Sequence, residues 1–406
     1  LSLKKLLFIG HDANRAGAQY LLLHLLTYLR ETGMQTGLVL SADGPLMADY
    51  ERVTTVYRAF ASGKANQSAG LPKRLLTKIG LKTTANGADN LPRLAELLQT
   101  LRAEQYDAIV ANTIANGGLL RLLEPLGLPF VLYVHELETS IQIYTRPDDL
   151  TYELTYAAHV FCGSEAVQQN LIRHHGLNTA NTSVLNSIIR TETLLTKLHA
   201  VDRQAVRQRL GISADAVVVG GCGNAEWRKG VDLFLLVARQ VLNQRPDMHF
   251  VWVGVPDAGE ETRRLRYDLD RMNMNDRVHM LPPGGDYLDY VACFDIFTLT
   301  SREDPYPLVM LEAGLNHNPV LSFAGSGGSS DFVGTDTGCL IPYADLSVMV
   351  TALIRLADNS DERIRLGAVF YDRALAHDVA VLAPKLLADL DTFVFHQPSS
   401  ARYGNR

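Results

Sequence analysis

The sequence predicts an α/β chain built as two Rossmann-like, doubly wound parallel-sheet domains. Short apolar runs of strand length alternate with amphipathic segments of helix length through both halves, the pattern that places helices on both faces of a parallel sheet. At 406 residues the chain exceeds a usual single domain, so two domains of about 180 residues each are expected. The chemically distinctive stretches also follow strand runs and precede helices, where open α/β sheets bind their ligands. A net charge of −6 with 20% charged residues argues against a general nucleic-acid binder, which carries a basic surplus. Cys162, Cys222, Cys293 and Cys339 are far apart and show no paired spacing. They read as buried thiols of a reducing compartment, not as a disulfide framework or a zinc site. No run approaches eighteen apolar residues and the opening LSLKKLLFIG passes straight into a domain pattern, so a cytoplasmic protein without a signal peptide is expected.

In the first half, KKLLFIG (4–10) reads as a strand, 11–19 as its loop and YLLLHLLTYLRETG (20–33) as a helix closed by Gly33. Ala16, Gly17 and Ala18 would let a ligand approach the helix start. Arg15 beside them is a weak candidate for an acceptor or anion contact. Strands follow at 36–41 and 53–58, with a short helix between them. Residues 61–90 break the pattern: they are rich in Gly, Ser, Asn and Lys, with five basic residues and no acid between Gly63 and Ala88. Their basic and apolar residues do not segregate on a helical wheel, so a mobile surface excursion is preferred over weak peripheral contact with the inner face of a membrane. Alternation resumes with a helix at 91–104, strands at 106–113 and 128–138, and the strand and Ser164-capped helix of AHVFCGSEAVQQNLIRHHG. His135 sits just past the apolar run of its strand, where functional loops collect. The polar stretch 189–211 reads as an interdomain connection plus one helix, with the boundary near residue 195.

In the second half, the strand ending in Gly220 leads into Gly221 and Gly223, then Asn224, Arg228 and Lys229 before a helix over Val231–Leu242. A G-C-G without a third glycine is a poor dinucleotide fingerprint, which speaks against a nicotinamide cofactor. Two cations beside a helix start suit a diphosphate instead. Strands follow at 248–254, 277–282 and 294–300. The last of these opens into SREDPYPLVMLEAG (301–314), where Asp304 precedes a helix and Glu312 lies eight residues on, inside it. Carboxylates do not bind phosphate, but they accept hydrogen bonds from vicinal hydroxyls. Phosphate-binding groups with carboxylates beside them therefore suit a nucleotide sugar. The small-residue loop Gly325–Ser330 offers further N–H groups. Helices then run to residue 390, and the tail 396–406 looks disordered.

The stretch SREDPYPLVMLEA resembles the E-x7-E region of retaining GT-B glycosyltransferases, family 4 (glycosyl transferases group 1), in its S-R-E-D-P-F-P-L-V-x-L-E-A spelling. Lys229-Gly230-Val231-Asp232 is similar to the K-G-x-D of that family, and Ala16-Gly17-Ala18 and Val134-His135-Glu136 resemble its glycine-rich opening and its histidine segment. The resemblance implies a GT-B fold: residues 1–195 as an acceptor-side domain, 196–378 as the nucleotide-sugar domain facing it across a cleft, and 379–406 crossing back to the first domain. It implies a sugar donor held by Gly17, Gly223, Asn224, Arg228, Lys229, Val253, Gly254, Glu303, Asp304, Tyr306, Leu308, Val309 and Glu312. Lys229 and Arg228 would lie on the diphosphate, Glu312 on the ribose, Asp304 on the sugar and His135 over it. Glu136 and Glu138 would be weaker acceptor contacts. The chain departs from the family in having Asp304 for the first acid, Tyr306-Pro307 for a Phe-Gly pair, and Asn224 where an Arg is usual, so Arg228 is expected to substitute.

The expectation is therefore a metal-independent enzyme without a resident cofactor. It moves a sugar from a nucleoside diphosphate sugar, uridine before guanosine, to a hydroxyl acceptor in polysaccharide or glycoconjugate assembly. The alternatives are a binding or regulatory module on the same fold, and a nucleotide-sugar epimerase or hydrolase. No residue fixes the sugar, the acceptor or the oligomeric state.

Overall fold

The computed structural model describes residues 2–60 and 87–395. The basic excursion expected over 61–90 lies outside the described residues up to residue 86, as does the tail 396–406. From Gly87 the chain is already in a helix, Gly87–Glu104.

The chain forms two compact units: residues 1–188 with 379–406, and residues 189–378. In the first, strands β1 (Lys5–Gly10), β2 (Gln35–Leu40), β3 (Thr55–Arg58), β4 (Ala108–Ala111), β5 (Phe130–Val134), β6 (His159–Cys162) and β7 (Thr182–Val184) form one sheet in the order β3-β2-β1-β4-β5-β6-β7. Every pairing in it is parallel. Successive side chains of a strand point to opposite faces, so a sheet covered on both faces needs apolar residues at every position. β1 shows this directly. Leu6 and Phe8 enter the core on one face with the helices Gly17–Glu31 and Val379–Phe395. Leu7 and Ile9 enter the core on the other, with Leu97, Leu101 and Leu120.

The second unit repeats the plan. Strands β8 (Val218–Cys222), β9 (His249–Val253), β10 (Val278–Leu281), β11 (Ile296–Leu299), β12 (Val320–Phe323) and β13 (Leu340–Ile341) pair in parallel in the order β10-β9-β8-β11-β12-β13. The strand order reverses between β1 and β4 and again between β8 and β11. Loops leaving such a switch point diverge to opposite faces and open a crevice at the carboxyl edge, so ligand-binding residues collect there.

The boundary expected near residue 195 falls at 188/189. Where a connection plus one helix is expected, two helices stand, Thr191–His199 and Arg203–Arg209, and the first buries Leu194 and Leu198 within the second unit. The ends of that unit are tied together, since Ile189 pairs with Asp378 and the Asp378 carboxylate accepts from the Thr191 N–H (2.9 Å) and hydroxyl (2.5 Å). Cys162, Cys293 and Cys339 are buried, whereas Cys222 is partly exposed at the end of β8.

Candidate active site

In the second unit the site grows from the loops after β8 and β11. The β8 loop is pinned from beneath: the Trp252 indole N–H donates to the Gly223 carbonyl at 2.9 Å, and the Gly223 N–H donates to the Val253 carbonyl. Gly254 closes against it, because a Cβ there would lie 2.3 Å from the Gly223 carbonyl oxygen. Val253 is buried in β9, and Asn224 is exposed at the loop crest. A short turn, Trp227–Lys229, then presents Arg228 and Lys229, and Gly230 in a left-handed conformation (φ 66°) starts the helix Val231–Leu242. Gly230 touches the Thr300 carbonyl so closely that a Cβ would sit 2.0 Å from it, and the Thr300 hydroxyl donates back to the Gly230 carbonyl at 2.8 Å.

This contact brings the two motifs of the second unit together. Lys229 Nζ lies 2.5 Å from Asp304 Oδ2, and Arg228 Nη1 lies 4.0 Å from Asp304 Oδ1. The Arg228 carbonyl accepts from the N–H groups of Arg302 and Glu303. Arg302 grips Asp232 with both terminal nitrogens, at 2.9 and 2.7 Å. The acid of K-G-V-D thus clamps the arginine of S-R-E-D. Asp304 is 4% exposed. Besides Lys229 its side chain accepts from the Ser301 hydroxyl at 3.2 Å, so in this structure it orients the lysine.

Glu312 is buried in the helix Leu308–Leu315 and accepts a 2.8 Å hydrogen bond from the Tyr287 hydroxyl. Burial pushes its carboxyl up to about 7, against the opposing effects of Tyr287 and Lys197. Burial pushes the Cys222 thiol at the end of β8 up, with Glu312 adding to that shift and Lys229 opposing it.

Three expectations here change in detail. The Tyr306 side chain is buried and its hydroxyl donates to His377 Nε2 at 2.6 Å, so it supports the loop from behind. Leu308 is buried and Val309 half-buried: both are packing residues of the helix. The small-residue loop Gly325–Ser330 is strapped to the motif loop, since the Asp304 N–H donates to the Ser326 carbonyl and the Gly328 N–H to the Pro305 carbonyl. Its N–H groups at Gly325, Ser326, Gly328 and Ser330 are all engaged within the protein.

In the first unit the carboxyl edge of β1, β4 and β5 gathers polar side chains. Gln19 donates to Asp12 at 2.7 Å and meets His11 at 3.0 Å. His135, at the end of β5, packs its ring 4.1 Å from that of Tyr133, and its Nε2 lies 3.1 Å from Asn112 Oδ1. Burial pushes the imidazole down to about 3, so it is neutral near pH 7. Gly17 starts its helix next to open space, and Arg15 is exposed in the preceding loop.

Glu136 and Glu138, expected as acceptor contacts, are committed within the protein. Glu136 accepts from the Thr113 hydroxyl and from the N–H groups of Ile114 (3.3 Å) and His135 (3.0 Å), clasping the β4 and β5 loops together. Glu138 accepts from Gln142 and from Asn170 and His175 of the helix Glu165–His175. Burial works against its charge, but these hydrogen bonds hold its carboxyl below the usual range. The competition for a buried carboxylate's lone pairs was not visible in the order of residues. Asn112 and Trp252 also escaped the sequence reading, because each acts through a partner distant in the chain. Among the described residues no group of three or more His, Cys, Asp or Glu is arranged to hold a metal.

Two Rossmann-like units with cations and carboxylates at the carboxyl edge of the second define a GT-B architecture. Solved structures share it: Anabaena HepE in complex with UDP and glucose superposes with a TM-score of 0.76 at 20% identity, over 96% of this chain and 100% of that one. Sucrose-phosphate synthase from Thermosynechococcus elongatus does so at 0.75 and 20% identity, over 96% and 98%. The model described as Glycosyltransferase Family 4 matches residues 15–193 and that described as Glycosyl transferases group 1 matches residues 215–359. The chain belongs to this family of glycosyltransferases. Among its curated relatives are D-inositol 3-phosphate glycosyltransferases of Kineococcus radiotolerans, 28% identical over 52% of both chains, and of Corynebacterium diphtheriae, 25% identical over 70% of both. The chain spans about half the length of the first of these relatives.

Proposed function

We propose that the chain transfers a sugar, with retention of anomeric configuration, from a nucleoside diphosphate sugar to a hydroxyl group. The observation that carries this reading is the assembly of Arg228, Lys229 and Asp304 at the start of the helix Val231–Leu242, with Glu312 buried in the helix that follows Asp304. Uridine diphosphate sugars are the first donors to test and guanosine diphosphate sugars the second. The HepE structure, a complex with UDP and glucose, supports uridine. The relatives named for inositol 3-phosphate make a phosphorylated polyol the first acceptor to try, ahead of growing glycans.

When the bond from the sugar's anomeric carbon to the diphosphate breaks, the oxygen leaves with the electron pair. Lys229, Arg228 and the helix-start N–H groups neutralise that charge, so the contribution is electrostatic preorganisation. The acceptor oxygen attacks from the face the diphosphate leaves, and its proton passes to a leaving phosphate oxygen. Glu312 accepts from the ribose hydroxyls, and Asp304 turns from Lys229 to the sugar as the diphosphate takes over the ammonium. His135, being neutral, positions and does not protonate. With two side-chain cations on the diphosphate the reaction needs no metal, and transfer is expected to persist in excess chelator.

The test is thermal unfolding with a panel of nucleoside diphosphates, followed by transfer assays. A ligand at about 100 times its dissociation constant adds about 2.7 kcal/mol. Wild type should be stabilised by one base and Lys229→Ala should lose the effect, with kcat lowered roughly 100- to 1,000-fold. If no nucleotide stabilises wild type at millimolar concentration, the transferase reading fails and a module without turnover replaces it.

A further inference from the structure

Asn112 stands at the end of β4, 3% exposed, and its side-chain amide faces two groups at once. Its Nδ2 donates to the Ala18 carbonyl at 2.9 Å, in the first turn of the helix Gly17–Glu31, while its Oδ1 lies 3.1 Å from His135 Nε2. A carbonyl oxygen only accepts, so the Ala18 contact fixes which end of the amide is NH₂. The end facing His135 is then an acceptor, and a neutral imidazole meets an acceptor only with a protonated nitrogen. The backbone holds Asn112 in place as well, since its N–H donates to the Ile9 carbonyl at 2.9 Å. The other ring nitrogen, Nδ1, lies beside Gly163, where a Cβ would come within 3.2 Å of it. Any side chain at 163 would press on that edge of the ring, and glycine leaves it clear.

We propose that Asn112 is a positioning residue that locks His135 as the neutral tautomer protonated on Nε2. The bare Nδ1 lone pair is then presented at the carboxyl edge of the first sheet as an acceptor for a substrate hydroxyl. The same amide ties the imidazole to the start of the helix Gly17–Glu31, so the β1 loop and the β5 loop are registered through one side chain. The catalytic meaning of this lock rests on the proposed sugar transfer; the lock itself is a property of the free protein.

The test is nitrogen NMR on the whole protein labelled with ¹⁵N-histidine, with His135 assigned by the signal missing in His135→Gln. Wild type is expected to show a protonated Nε2 and an unprotonated Nδ1, with no titration between pH 5 and 8. Asn112→Ala should release the ring into a mixture of tautomers or a measurable titration. Asn112→Asp should put a carboxylate against Nε2 and move the ring's titration upward, giving His135 nitrogen signals that shift with pH where those of wild type stay constant. In Asn112→Ala, kcat should fall about tenfold while the temperature of unfolding shifts by only a few degrees. A wild-type ring protonated on Nδ1, or titrating near neutral pH, overturns the assignment. So does an unchanged tautomer in both Asn112 variants. Since the spectrum of the free protein needs no substrate, a confirmed lock without sugar transfer would sink the proposed function and leave the tautomer assignment standing.

Discussion

Glu312 is ionised at a cost: inside the protein its carboxyl loses hydration, and the Tyr287 hydroxyl restores only part of it. Its titration sits near 7 in the folded chain against the usual 4.5. The neutral acid therefore favours folding most below pH 4.5, and that advantage is lost as pH rises through 7, a swing of about 3 kcal/mol. Glu312→Gln is expected to unfold at a higher temperature than wild type at pH 8 and at nearly the same temperature at pH 4.5, as read by calorimetry. Ribose hydroxyls prefer the ionised form as acceptor, so the nucleotide dissociation constant of wild type should fall as pH rises from 6 to 8. In Glu312→Gln it should be weaker and flat. A side chain that destabilises the empty protein yet strengthens ligand binding points to function over packing. Glu312 and Lys229 are legible in the sequence because each sits at a strand-to-helix junction inside a stretch that resembles a family motif. Asn112, Trp252 and His377 were not: their roles depend on partners at Ala18, Gly223 and Tyr306, which only folding supplies.

Among the turns, the one at Gly230 governs how the two motifs of the second unit meet. Its left-handed φ and its contact with the Thr300 carbonyl leave no room for a side chain. Gly230→Ala should cost about 2 kcal/mol or more in urea unfolding, and should weaken nucleotide binding by displacing Lys229 from the start of the helix Val231–Leu242. A variant as stable as wild type would show that the turn yields easily. The inner strands are legible in the sequence because they are buried on both faces and therefore nearly continuously apolar, as in VFC of β6 or IFTL of β11. Helices with a narrow buried face were read poorly. Thr191–His199 buries only Thr191, Leu194 and Leu198, and Arg203–Arg209 only Val206 and Arg207, so a largely polar stretch of two helices reads as a connection and one. Residues 138–156, which form the helices Glu138–Tyr144 and Pro147–Tyr156, hide for the same reason.

Taken whole, the chain completes its first unit last. The helix Val379–Phe395 buries Val379, Leu386, Leu387, Leu390 and Val394 in the core of the first sheet, and Phe393 stacks on His159 with ring centroids 3.7 Å apart. At about 1.5–3 kcal/mol for each large apolar side chain, this helix matches the entire stability of a typical domain, about 5–15 kcal/mol. Ending the chain after Asp378 is therefore expected to unfold the first unit while the second stays cooperative. Both tryptophans, Trp227 and Trp252, belong to the second unit, so their fluorescence should keep its urea transition while amide protection over β1 to β7 disappears. Persistent protection there would refute the argument. The same interrupted layout bears on how the protein is made. On the ribosome residues 189–378 emerge as an unbroken piece and can close at once. Residues 1–188 must wait, with one wall of their core missing, until the helix Val379–Phe395 leaves the exit tunnel. That interval, about ten to forty seconds at about 5–20 residues per second, is when the nascent chain most needs a chaperone.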